Sequence, residues 1–157
     1  MEETSAVHNT FVVERSYPKP PEKVFAAFSD PTKKRRWFAE GPGHDVVAFE
    51  MDFRVDGAEH MSYRFKEGTP FKGVVLDYRN SYQDIVPNKR IVISQAMDFG
   101  NKRVSASLVT IELLRTETGT DLICTHQGTF FEGADGPEIR QHGWKALFER
   151  LAGELDR

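Results

Sequence analysis

Cysteine is nearly absent: Cys124 stands alone among 157 residues. A single thiol excludes an intrachain disulfide, so the fold needs no oxidising compartment. Long apolar runs are missing too. No window approaches the ~18 consecutive apolar residues of a spanning helix, which excludes membrane insertion through a helix. The opening MEETSAVHNT is polar and acidic, unlike a secretory signal. The expected compartment is therefore the cytoplasm. Neither sign of charge dominates, with 21 Lys+Arg against 24 Asp+Glu. That balance lacks the basic footprint of a nucleic-acid binder. There is no H-E-x-x-H, no cysteine pair and no short-spaced His/Asp cluster, so no metal or other cofactor is expected. A G-x-S-x-G elbow and a P-loop are also missing.

What is present begins with the ending. After a break at Gly133–Pro137, residues Trp144, Leu147, Phe148, Leu151 and Leu155 recur at helical spacing and share one face. Most of the chain before them reads as strand. Thr10–Tyr17 is the first candidate, after a flexible stretch over residues 1–9. Pro21 suits a first helical turn, and Val24, Phe25 and Phe28 supply its stripe. Asp30-Pro31 reads as an N-cap and N1 proline, opening a second short helix through Trp37. From residue 45 the period shifts to two. Strand candidates are 45–55, 58–66, 70–83, 89–98, 103–116 and 120–131, separated by turn signals such as Asp56-Gly57 and Thr118-Gly119. Short connections argue for an antiparallel meander. A lone aromatic-rich helix needs an apolar partner, and the concave face of the sheet is the large one on offer. The class is α+β: a curved antiparallel sheet wrapped around a long C-terminal helix, with two small helices after the first strand.

The order of several motifs strengthens this reading. R-x-Y-x-x-P-x-E-x-V-F-x-A-F-x-D-P spans Arg15 to Pro31, and Trp37-Phe38 follows. F-x-G-x-V-x-x-Y runs from Phe71 to Tyr78, P-x-x-R-I-V from Pro87 to Val92, T-x-L-x-x-T-H-x-G-x-F from Thr120 to Phe130, and H-G-W-x-x-x-F-x-x-L from His142 to Leu151. In this order the chain resembles the AHSA1-like branch of the START/Bet v 1-like (SRPBCC) superfamily. The resemblance implies the helix-grip fold, with residues 10–157 as one domain and a cavity between sheet and helix. It implies several roles, because such proteins include activators of the Hsp90 ATPase, carriers of hydrophobic ligands, and cyclases.

The leading expectation is a small hydrophobic or amphipathic molecule bound in that cavity. Candidate lining residues are Trp37, Phe53, His60, Tyr63, Phe71, Tyr82, Gln95, Met97, His126, Phe130 and Trp144. Aromatics supply apolar wall with a polar atom at the tip of Tyr or Trp, and a few polar groups orient a ligand. One alternative is a cyclase- or hydrolase-like enzyme using His126, His60 or Glu59, since histidine titrates near neutrality. The other is a protein-interaction module with a chaperone partner. A homodimer is compatible with all three. Lys33–Arg36 form a basic run read as a solvated helix face, and Cys124 reads as a small buried hydrophobe.

Overall fold

Alternation along the strands decides the architecture of the computed structural model, which describes residues 1–157. The strands are β1 (Val7–Tyr17), β2 (His44–Met51), β3 (Ala58–Phe65), β4 (Val75–Val86), β5 (Arg90–Phe99), β6 (Lys102–Arg115) and β7 (Thr120–Phe130). They form one sheet in the order β1-β7-β6-β5-β4-β3-β2, with every pairing antiparallel. Strands β2 to β7 are a meander, and β1 closes onto β7. One face of the sheet is apolar and carries Val13, Ile91, Val109, Ile111 and Leu122. It is gripped around α3 (Pro137–Leu155), whose Trp144, Phe148, Leu151 and Leu155 are buried in the same cluster. Burial of that stripe supplies most of the helix's stability, since an isolated helix is marginal in water. Tyr17 fixes the register of helix on sheet by donating its hydroxyl to the Phe148 carbonyl at 2.9 Å.

Between β1 and β2 lie α1 (Pro21–Ser29), the single turn α2 (Pro31–Lys34) and a π-helical turn, Arg35–Ala39. The Asp30 carboxylate caps α2 by accepting from the backbone N–H groups of Thr32 and Lys33. The wider π turn lets Trp37, Phe38 and Ala39 all be buried in succession. Trp37 donates its indole N–H to the Ala27 carbonyl at 2.8 Å, locking the π turn to α1.

Three local expectations are corrected. Residues Val7–Asn9, read as part of a loose start, belong to β1, where they pair with Gly128–Phe130. The strand expected from residue 70 begins only at Val75, because Gly68 and Gly73 have φ of 87° and 80° and turn the chain. The basic run is not a solvated face. Lys34 is 3% exposed, with Nζ 2.7 Å from Glu59 Oε1 and 3.0 Å from Oε2. Arg36 makes a two-pronged pair with Glu154 at 2.8 and 2.7 Å.

Candidate functional site

The first turns of α3 lie against the inward face of β3, β4 and β5, and two cavities open there. The smaller, about 190 Å³, is walled by Phe38, Met61, Trp144 and Leu147. The larger, about 490 Å³, is walled by Phe65, Phe71, Met97, Phe99 and Val104. Tyr63, Tyr78, Arg140 and Gly143 face both. Gly143 leaves room on the helix side, since a Cβ there would meet no atom within 4 Å. The larger cavity's aromatic wall is built from edge contacts. Phe71 and Phe99 pack at 5.1 Å and 88°, Phe65 and Phe99 at 6.2 Å and 62°. Phe71 comes from the β3–β4 loop and stays 48% exposed, which places an apolar side chain at the cavity mouth.

The polar groups are few and mostly cationic. Arg140 is 5% exposed. Its Nε and Nη2 donate to the two oxygens of Asp135, both at 2.8 Å. Nη2 also reaches Ser105 Oγ at 2.9 Å and Met97 Sδ at 3.2 Å. The guanidinium sits 5.0 Å from the centre of the Phe130 ring. Nη1 is buried and has no partner in the protein. Arg150, about three turns further along α3, also lines the smaller cavity. Burial lowers its pKa, yet a guanidinium stays protonated at neutral pH.

His44 completes the smaller cavity. Its ring stacks on Tyr63 at 3.8 Å, and Nε2 donates to the Ala39 carbonyl at 2.6 Å. Burial pushes the His44 pKa down, the Ala39 carbonyl raises it, and the Arg150 charge lowers it further. The imidazole is therefore neutral at pH 7. Burial raises the Tyr63 hydroxyl to about 12, against the opposing pull of Arg150 and Arg140. No carboxylate lines the smaller cavity, and Asp135 is the single acid on the larger one. The arrangement can hold an apolar body with a negative end.

Of the sequence candidates, Tyr63, Phe71, Met97 and Trp144 line these cavities. Trp37, Phe53, Tyr82, Gln95, His126 and Phe130 do not, and lie in or beside the packed interior. Tyr82 and Asn80 donate to Glu59 Oε2, so Glu59 is held in a buried network with Lys34 rather than aimed at the cavity. His60 faces the opposite side of β3, where Nε2 lies 2.6 Å from Asp77 Oδ1. Cys124 is fully buried, and burial pushes its thiol up to about 12. Arg140, Arg150, His44 and Tyr78 line the cavities although the sequence alone does not single them out. For Arg140 a signal exists: it lies one turn before Trp144, on the stripe that meets the sheet.

The family model described as Activator of Hsp90 ATPase homolog 1-like protein matches residues 18–156. A solved structure from Rhizobium leguminosarum is 34% identical, covers 98% of this chain and 97% of its own, and superposes with a TM-score of 0.90. The Mll3558 protein of Rhizobium loti is 43% identical over 96% of this chain and 99% of its own, at a TM-score of 0.83. An AHSA1-like protein from Aeromonas hydrophila, 20% identical over 94% of this chain and 92% of its own, shares the fold at a TM-score of 0.70. No curated protein matches. No helix is long and apolar enough to cross a membrane.

Proposed function

The chain belongs to the Activator of Hsp90 ATPase homolog 1-like family, and on that premise we propose that it binds a small amphipathic anion between α3 and the sheet. One observation carries the reading. Arg140 and Arg150 open into an apolar cavity that holds no carboxylate, and Arg140 has a buried Nη1 left over. A buried cation with a free donor favours a carboxylate, which accepts charge-assisted hydrogen bonds. The aromatic wall supplies the rest through apolar burial, at ~25 cal/mol per Å² before ordering costs. Native mass spectrometry of the protein purified from its own host tests this. A non-covalent adduct that releases an organic acid on denaturation supports it, and protein free of any adduct counts against it.

The family description favours a second reading more directly than the first. It points to a protein-interaction module that stimulates a chaperone ATPase. Exposed Phe71 and Ile139, at 48% and 63%, border the larger cavity and would belong to its contact surface. Mixing the protein with the host's Hsp90 homologue and following ATP turnover decides this reading. Stimulation that is lost in a Phe71→Ser, Ile139→Ser double variant supports it; an unchanged rate rejects it.

A further inference from the structure

Met61, Tyr78 and Met97 form the inward row that floors the cavities. The next inward row lies one strand repeat deeper, about 6–7 Å away, and it is polar. Register pairs Asn80 with Gln95, Gln95 with Ser107, and Ser107 with Gly128. Directly paired residues project to the same side of a sheet, so these side chains stand in line. Asn80, Gln95 and Ser107 are 7%, 5% and 9% exposed.

His126 joins the row through a missing side chain. A Cβ on Gly128 would lie 2.8 Å from His126 Cε1 and 3.0 Å from Phe130 Cε2. Glycine there lets the imidazole lean over the row, stacked on Phe11 at 4.6 Å and on Phe130 at 6.0 Å. His126 is 0% exposed. Asn80 Oδ1, Gln95 Oε1, Ser107 Oγ and both ring nitrogens of His126 have no hydrogen-bond partner in the protein. Buried polar atoms are almost always paired, and an unpaired one is costly. Five such atoms along one row point to a group that the row is built to receive.

We propose that this row is a polar subsite receiving a hydroxyl at the far end of a ligand whose carboxylate sits on Arg140. The inference rests on the anion-binding reading and adds the ligand class: hydroxyaryl or hydroxyalkyl carboxylic acids. Ser105 accepts from Arg140 and is two residues from Ser107 on the same face of β6. The span from anchor to subsite is therefore about 6–7 Å, close to the separation of acid and hydroxyl across a para-substituted ring. The amide oxygens accept the ligand's O–H, and Ser107 and a neutral imidazole can each donate or accept. Met97 stands between the subsite and the larger cavity. Its unbranched side chain is the one that moves aside.

The test compares 4-hydroxyphenylacetate with phenylacetate by calorimetric titration of the full-length protein. The hydroxylated acid is expected to bind about tenfold more tightly, the size of one well-made buried hydrogen bond. That advantage is expected to vanish in Ser107→Ala and Gln95→Leu, while phenylacetate binding persists. Equal affinity of the two acids for the wild-type protein overturns the subsite, and needs no variant to fold. If both acids also lose affinity in Arg140→Met, the anion-binding reading survives that result. Absence of binding by either acid overturns both.

Discussion

At the residue scale, the proposed anion site turns on Arg140. Its Nε and one Nη are held by Asp135, so the guanidinium is already oriented before any ligand arrives. Such preorganisation lowers the ordering cost of binding. Arg140→Met is expected to weaken phenylacetate binding about 10–100-fold, the range for hydrogen bonds to a charged group, with far-UV circular dichroism unchanged. Arg140→Lys should recover only part, because an ammonium cannot keep the Asp135 fork. His126 makes a different prediction. Burial, with a contribution from the Arg140 charge, pushes its pKa from 6.5 down to about 4. Between those values the unfolded chain binds the extra proton, so stability falls as pH drops from about 6.5 toward 4. The full effect is roughly 3 kcal/mol. Urea titrations across this range should show the slope in the wild type and a much shallower one in His126→Phe. The sequence alone marks His126 as polar among apolar neighbours, but not the arginines. A charged residue on a helix defaults to solvent, and only the packed helix shows which ones point inward.

At the element scale, the small helices are fastened to the sheet by charge. Lys34 on α2 and Glu59 on β3 are buried together, with Tyr82 and Asn80 on the same carboxylate. Removing one partner leaves the other charge buried, which costs about 3–5 kcal/mol. Lys34→Met should therefore lower the denaturation midpoint sharply. The Lys34→Met, Glu59→Met double variant should recover only part of the loss, since it removes the unpaired charge but leaves the Tyr82 hydroxyl and the Asn80 amide without their acceptor. Gly143 gives the opposite expectation. It sits mid-helix, and a methyl group added there would meet no atom within 4 Å. Gly143→Ala should therefore stabilise α3 by about 0.5–1 kcal/mol in thermal melts. The Asp30 cap and the α3 stripe are both legible in the sequence, because each depends on near neighbours. The start of β4 is not. Phe71, Val74, Val75 and Leu76 make an apolar cluster dense enough to mimic a strand, and the positive φ at Gly68 and Gly73 becomes visible only in the folded chain.

At the scale of the whole molecule, one helix laid on one sheet creates both stability and space. Leu151, Phe148 and Leu155 fill the interior toward the C-terminal end of α3, while Arg140 and Gly143 leave it open toward the start. The overall grip follows from an aromatic stripe with only one apolar surface to meet, so periodicity is enough to reveal it. The cavity's charge is hidden from such a reading, because Asp135, Arg140 and Arg150 lie close together in a stretch whose charges could all face solvent, and it is the contact of Arg140 with Ser105 on β6 that shows one of them turned inward. A ligand that binds only the folded state should raise the melting temperature with concentration. The most direct measurement of the central claim is a calorimetric comparison of phenylacetate with phenylacetamide, a neutral molecule of nearly the same shape. Two cations facing an apolar chamber predict that the acid binds at least about tenfold more tightly, and that Arg140→Met erases the difference. Equal affinity for acid and amide in the wild-type protein would contradict it.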